Sequence, residues 1–298
     1  MRPLRLLAAL AAFVLATPAS AQDCDRACLK GLLDGYIEAL VAHEPGRVPT
    51  TPDVRMTENT REVPFGEGEW QTVTGIGTFR HDYLDTGAQV AAAHVHLLEG
   101  AIPVLYSVVL HVKDSRIAGV EAIVHKVQPG DRFQPKVLGE PVRGMDTTVP
   151  PGAAMSRADM VQAALSYTEG LRIGNFTTSG TGFASETYRV ENGVITSGAG
   201  CPFYDCGMYA TPLMLHPDIA ASVAAVDEEA GTVLLWMNFG DTNSYGPGNA
   251  LVTLEAFKIW GGQIHAINAF FSFLPHEARR NWTTTDPLPA DSPFPLGD

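Results

Sequence analysis

The chain repeats one order of elements: a segment begins with an amphipathic helix and ends with a hairpin of alternating strands. Apolar residues recur at helical spacing over 29–41, and the Pro-Gly pair that follows predicts the end of this helix near His43. A second helix is predicted to begin at Ser156 as N-cap and to continue to Leu171. Two segments of this kind predict two domains in tandem.

The strands repeat in the same order after each helix. Alternating strands predict hairpins at 104–124 and 251–273, each with a turn signal at its middle. The segments 53–59 and 187–192 resemble each other and both close in Glu-Asn. The repeat therefore extends from the helix through the closing hairpin.

The first 21 residues predict an export signal. Two arginines precede an apolar run over 6–16, and Ala19-Ser20-Ala21 supplies a small-residue cleavage site before Gln22. An uncleaved membrane anchor is the alternative. The run is short for a membrane span, so we expect an exported protein, periplasmic or extracellular, with no membrane association after signal cleavage.

The four cysteines form two closely spaced pairs, Cys24 with Cys28 and Cys201 with Cys206. An oxidising compartment favours disulfides, and the spacings predict two local bridges. Four cysteines allow three connectivities, and a four-thiolate zinc site is the alternative. Its usual spacing is absent, so no metal is predicted.

Composition and charge exclude several classes of protein. A hydrophobic content of 45% predicts a folded core, and the net charge is −13, from 33 acidic and 20 basic residues. Nucleic-acid binding needs a basic face, so no nucleic-acid partner is expected.

Proline-rich stretches separate the predicted domains. The signal at 1–21 precedes a first domain at 22–127, a linker at 128–154 and a second domain at 155–282. A proline-rich tail, predicted to lack regular structure, covers 283–298.

Short motifs in both halves carry a resemblance to a known superfamily. They are Thr57-Glu58-Asn59, the GEGEW stretch at 66–70, Arg80-His81-Asp82-Tyr83, and the stretches 188–193 and 226–231. With the closing hairpins, they resemble the nuclear transport factor 2-like (SnoaL-like) superfamily, and more closely secreted tandem two-cone proteins of unassigned activity. The resemblance implies an α+β fold of two tandem cone-shaped domains, each a curved antiparallel sheet wrapped around helices. Members of this superfamily include dehydratases, isomerases, hydrolases, lyases and binding modules, so the fold does not decide the function.

The resemblance implies that each cone encloses an apolar pocket. Such a pocket suits proton transfer, because burial shifts the pKa of a polar group inside it. Dinucleotide, phosphate-loop and His-Glu-x-x-His patterns are absent from the sequence, and no cofactor is predicted. We expect an exported enzyme, of lyase, dehydratase or isomerase type, that acts on a small apolar or oxygenated molecule by elimination, isomerisation or hydrolysis. The alternative is a non-catalytic protein that binds a small ligand.

The predicted catalytic residues are ionisable groups of the first half. His81 or His96 would act as general base, and Tyr83 or Arg80 would polarise an oxygen. Glu58 would carry a proton. The alternatives are an ordinary exposed segment for 80–83 and, for His94 with His96, two imidazoles on one strand face that bind a metal.

The predicted substrate-binding residues are aromatic, amide and charged groups on the helices and strands of both halves. They are Tyr36, Trp70, His94, Tyr167, Arg189, Glu191, Trp236, Asn238 and Asn268. Trp236 and Asn238 share one face of a strand, and Asn268 is predicted to be buried in either a ligand contact or a structural hydrogen bond. The tandem would form an internal pseudo-dimer, or the chain a homo-oligomer.

Overall fold

A computed structural model describes residues 23–131, 133–135, 144–202, 204–210, 214–288 and 292–294. The predicted export signal, 1–21, lies outside these residues. Within them, no helix combines the length and the apolar character that a membrane crossing needs.

The first domain consists of one long helix, two short 3₁₀ turns and six strands. They are α1 (Arg26–Ala42), the turns Pro45–Arg47 and Gly68–Gln71, β1 (Thr50–Glu58), β2 (Arg61–Glu62), β3 (Gly75–Asp85), β4 (Val90–Glu99), β5 (Ile102–Lys113) and β6 (Arg116–Lys126).

The second domain repeats this order. Its elements are α2 (Arg157–Ile173), β7 (Phe183–Glu191), β8 (Val194–Gly198), β9 (Ala220–Asp227), β10 (Thr232–Asn238), β11 (Asn249–Trp260) and β12 (Gln263–Pro275). Both predicted hairpins are confirmed, as β5–β6 and β11–β12.

The two sheets have the same topology. Their strand orders are β2-β1-β6-β5-β4-β3 and β8-β7-β12-β11-β10-β9. The last strand of each four-stranded meander returns beside β1 or β7 in the same direction, so these pairs are parallel and all others antiparallel. The fold is α+β with two similar domains. The resemblance implied antiparallel sheets, whereas each sheet is mixed because it contains one parallel pair.

The predicted end of α1 near His43 and the predicted N-cap of α2 at Ser156 are confirmed, and α2 continues past Leu171 to Ile173. The Asp25 carboxylate accepts the N–H of Cys28 and caps α1, which ends at His43 in the left-handed conformation. The Ser156 hydroxyl accepts the N–H of Asp159 and caps α2. The two local disulfides, Cys24–Cys28 and Cys201–Cys206, are formed and indicate an oxidising environment.

Each helix packs on one face of its own sheet, and the opposite faces of the two sheets pack against each other. The core under α1 includes Leu33 and Tyr36, and the core under α2 includes Tyr167. A third cluster combines residues of both domains, among them Leu105 and Trp236. The face of each sheet that meets its helix therefore forms a separate interior.

The segment after β12 returns to the first domain. Arg280 is 1% exposed and binds Glu121 of β6, with Nη2 at 2.8 Å from Oε2. The indole of Trp282 donates to Thr57 Oγ1 at 2.8 Å. The described part of 283–298 contains no helix or strand.

Candidate active site

The interior of the second domain contains a buried carboxyl group, Glu255. Strand β11 alternates between the two faces of its sheet and points Glu255 inward beside Phe257, towards α2. Glu255 is 2% exposed, and its Oε1 atom has no hydrogen-bond partner among the described residues. A carboxyl oxygen in this state is available to a ligand or a proton.

Tyr167 and Arg189 connect this carboxyl group to the domain edge. Arg189 Nη1 donates to the Tyr167 hydroxyl oxygen at 3.0 Å, and the Tyr167 hydroxyl acts on the Glu255 carboxyl group to lower its pKa. Arg189 Nε lies 3.4 Å from Glu191 Oε2, and the two side chains are 11% and 16% exposed. The four groups form a chain from a buried acid to a partly solvated one.

The position of Glu255 raises its pKa from 4.5 to about 8. Desolvation is the largest cause, and the Glu191 charge adds to it. The Arg189 charge and the Tyr167 hydroxyl lower the pKa and offset part of this effect. Glu255 is therefore mostly protonated at pH 7, and it can lose or regain its proton at a pH near neutrality.

His216 and Tyr245 lie near the same cluster. The His216 ring lies with Nδ1 3.3 Å from the Phe239 carbonyl oxygen and Nε2 3.4 Å from the Tyr245 hydroxyl. Desolvation lowers the pKa of His216 to about 4, so the ring is neutral at pH 7. It adds a polar but uncharged group to this interior.

The first domain has the same strand order as the second but different side chains in its interior. Strand pairing makes Val108 the counterpart of Glu255, because they pair with the equivalent residues Ala122 and Ala269. Tyr36 occupies the place of Tyr167 on its helix, and its hydroxyl is paired with that of Tyr106 at 2.9 Å. The first interior therefore has an apolar residue at the position that Glu255 occupies in the second.

Glu58 lies at the edge of this first interior. Its Oε2 accepts the N–H of Glu69 at 3.0 Å, and burial followed by the Glu69 charge raises its pKa. Glu69 binds Lys126 at 3.0 Å. Trp70 is buried in the core beside Tyr36.

The other predicted catalytic residues lie outside both interiors. Arg80 points to the outer side of α1, where it binds Asp34 and Asp82 at 2.6 Å each. His81 and His96 lie on the face of the first sheet that meets the second domain, and burial lowers the pKa of both. Their catalytic roles stay predictions, and this face of the sheet lies away from the interior beside Glu58.

Tyr83, His94 and Asn268 meet between the two sheets. The Tyr83 hydroxyl and the Asn268 amide nitrogen are both within hydrogen-bonding distance of His94 Nδ1, at 3.0 and 2.8 Å. The other ring nitrogen, His94 Nε2, lies 2.9 Å from the Leu254 carbonyl oxygen. All three residues are buried, as predicted for Asn268. Of the two interpretations of Asn268, this geometry favours the structural hydrogen bond.

Trp236 and Asn238 share a strand face, as predicted, and this face also meets the other sheet. Trp236 belongs to the cluster between the domains. Asn238 donates to the carbonyls of His276 and Ala278 at 3.1 and 2.9 Å, and so holds the segment after β12. Neither residue lies in the second interior.

The structure therefore brings together Tyr167, Arg189 and Glu191 of the predicted binding residues and adds Glu255, which sequence reasoning missed. The sequence contained a signal for this residue: from Leu251 to Ile259, the inward positions of β11 are apolar or Thr except for the carboxylate of Glu255. His216 and Tyr245 lie on or beside loops, where no periodicity predicts their direction.

The arrangement suits proton transfer and the binding of an oxygen atom. Glu255 can give or take a proton near neutral pH, and Arg189 supplies a fixed positive charge beside it. Within the described ranges, no group of three His, Cys, Asp or Glu residues is arranged to hold a metal ion.

Comparison with known proteins gives a family match and matches to solved structures. A family model described as "Domain of unknown function (DUF8021)" matches residues 153–271. A solved structure described as a "putative ketosteroid isomerase" from Kribbella flavida is 16% identical, covers 43% of this chain and 94% of its own, and has a TM-score of 0.26. No curated protein matches the chain. No activity follows for this chain from these matches.

Proposed function

We propose that the interior of the second domain catalyses proton transfer on a small, largely apolar molecule that carries a carbonyl or hydroxyl oxygen. The observation that supports this most is Glu255: it is buried, its Oε1 is unpartnered among the described residues, and its pKa is raised to about 8. General acids and bases work best when their pKa lies near the operating pH. The reaction class is isomerisation or elimination without an organic cofactor.

Each group has a role in this proposal. The Glu255 carboxylate takes a proton from a carbon next to the substrate carbonyl, and the electron pair left behind moves onto the carbonyl oxygen. Arg189 stabilises the negative charge that develops there. The Tyr167 hydroxyl accepts the hydrogen bond of Arg189 and so fixes the direction of the guanidinium group. Glu255 then returns the proton to another carbon or to the leaving hydroxyl.

Deuterium exchange tests the proton step without knowledge of the natural substrate. The purified chain is incubated in D₂O with cyclic β,γ-unsaturated ketones, aryl ketones and β-hydroxy ketones, and mass spectrometry follows deuterium uptake and water loss. We expect exchange whose rate rises with pH towards an apparent pKa near 8, as for a base with the pKa of Glu255.

Matched variants assign this activity to the second domain. Replacement of a general base lowers rates by about 10²-fold or more, so we expect this loss for E255Q and a smaller one for Y167F. Y36F is the control, because Tyr36 holds the equivalent helix position in the first domain. Exchange that persists in E255Q would contradict the proposal. Tight binding of a panel member without exchange would favour the binding protein.

The proposal extends to the organisation of the chain. We propose that both domains belong to the nuclear transport factor 2-like superfamily, with boundaries at 22–127 and 155–282, and that residues 1–21 direct export. The packed outer faces of the sheets support an internal pseudo-dimer in which the first domain acts as partner of the second. Mass spectrometry of the exported protein tests the cleavage site, with a mature chain expected to begin at Gln22.

A further inference from the structure

A cleft lies on the outer face of the second sheet, apart from the proposed active site. Its volume is about 390 Å³, at the lower end of the range for small-molecule sites. It is lined by Gly144 and Thr147 of the linker, Glu186 and Tyr188 of β7, and Trp260 and His265 of the β11–β12 hairpin. Nothing in the proposed proton-transfer reaction uses these residues.

One wall of the cleft is a fixed pair of aromatic rings. Trp260 and His265 flank the hairpin turn and stack with centroids 3.4 Å apart and planes inclined by 11°. The His265 ring is held at both nitrogens, by Glu186 Oε1 at 2.7 Å and by the Trp260 carbonyl at 3.1 Å. A rigid planar wall binds a flat apolar surface without loss of side-chain entropy.

Two polar groups of the wall have opposite hydrogen-bonding needs. The Trp260 Nε1 donor is buried and meets no acceptor within the described chain. Glu186 is a carboxylate, 60% exposed, and its hydrogen bond with His265 lowers its pKa. A ligand that satisfies both must accept a hydrogen bond from Trp260 and donate one to Glu186.

A hydroxyl group does both, whereas an ammonium group only donates and a carboxylate only accepts. From the aromatic wall and this donor–acceptor pair, we propose that the cleft binds a ring that carries hydroxyl groups. Sugars and phenols share this chemistry. The cleft would then hold a ligand outside the second interior, next to the linker.

Isothermal titration calorimetry with methyl β-glucoside and with catechol tests the proposal on the full chain. We expect saturable binding of at least one probe, and the probe that binds distinguishes a saccharide from a phenolic ligand. W260F removes the Nε1 donor and keeps a ring, and E186Q removes the charge at an exposed position. Each change should weaken binding about fivefold, the effect of one hydrogen bond.

W236F is the matched control, because it removes another buried indole N–H, this one in the core between the domains. It should leave binding unchanged, as should E255Q, which separates this cleft from the proposed active site. Binding of neither probe, or equal binding by wild type, W260F and E186Q, would overturn the assignment. Since Glu186 is exposed, E186Q gives a result even if W260F fails to fold.

Discussion

Asp85 and Asp227 end the edge strands of the two sheets, and each accepts a backbone N–H from the strand of the other. Asp85 Oδ2 accepts the N–H of Val226 at 2.7 Å, and Asp227 Oδ2 accepts the N–H of Leu84 at 2.9 Å. Leu84 precedes Asp85 and Val226 precedes Asp227, so the exchange is reciprocal. Reciprocal contacts of this kind characterise an interface between two copies of one chain.

Arg26 and Arg157 complete this interface from the first residue of each helix. Arg26 binds Asp227 through both terminal nitrogens, at 2.7 and 2.9 Å. Arg157 binds Asp85 in the same way, at 3.0 and 2.6 Å. Both carboxylates are 0% exposed. The helix start of each domain is therefore tied to the edge strand of the other.

We predict that D85A and D227A destabilise the chain strongly. D227A removes the carboxylate that binds both terminal nitrogens of Arg26, whereas in D85A Arg157 keeps its ion pair with Asp286 at 2.7 Å. Each change also leaves a backbone N–H without its acceptor. Breaking a buried pair costs about 3–5 kcal/mol, so we expect a loss of this size for D227A and a smaller one for D85A. Urea unfolding measures the loss. E44Q breaks the exposed pair of Glu44 with Arg47 and should leave the midpoint unchanged. If D85A and D227A leave the unfolding midpoint unchanged, as E44Q should, the contacts of these aspartates do not hold the two domains together.

Glu255 predicts a pH dependence of stability. Its pKa is about 8 in the folded state and near 4.5 when unfolded, so between these values the folded state holds a proton that the unfolded state has lost. The contribution of Glu255 to stability therefore falls as the pH rises from 4.5 to 8. E255Q imitates the protonated acid and removes this effect. We expect the free energy of unfolding of E255Q, measured with urea, to rise relative to that of wild type between pH 5 and pH 8. An equal difference between the two proteins at both pH values would contradict the raised pKa.

The repeat explains why the fold could be predicted from the sequence. Helix periodicity, strand alternation and turn residues act locally, so the positions of the two helices and the two hairpins followed from the chain. The parallel pairing of β1 with β6 joins segments far apart in the sequence. Local patterns carry no information on that pairing.

The site was harder to predict, because side-chain direction depends on how the two sheets pack. His94 and Glu255 are both polar residues on apolar strands, and the sequence alone favoured His94 as a site residue. In the structure His94 faces the other domain, whereas Glu255 faces its own helix. Only the packing of the outer sheet faces decides which of the two lies inside a domain.

His94 predicts a pH dependence in the acid range. Desolvation lowers its pKa from 6.5 to about 3, so below pH 6.5 the unfolded state binds a proton that the folded state does not. Stability from this group is present above pH 6.5 and is lost as the pH falls towards 3. H94Q should show a shallower loss of stability between pH 6 and pH 4 than wild type, measured by urea unfolding. An unchanged slope would show that His94 is not the neutral group between the sheets.

Asn192 provides the last prediction, because it continues the parallel pairing of β7 with β12 through its side chain. Its amide accepts the N–H of Phe271 at 2.8 Å and donates to the carbonyl of Phe271 at 3.1 Å, and its φ is 44°. Asn59 repeats this geometry with Val124 in the first domain, with φ 49°. Asparagine fits both needs, a left-handed backbone and a peptide-like side chain.

We expect N192A to lose about 2–4 kcal/mol, because it leaves buried polar groups of Phe271 unpaired and places a Cβ-bearing residue without a compensating hydrogen bond in the left-handed region. N192G relieves the backbone strain alone and should lose about 1 kcal/mol less. N59A is the matched control: Asn59 is half-buried, water reaches its partners more easily, and the loss should be smaller. Urea unfolding of the three variants measures the order. Equal stability of N192A and N192G would show that the φ of Asn192 costs nothing, and a larger loss for N59A than for N192A would contradict the role of burial.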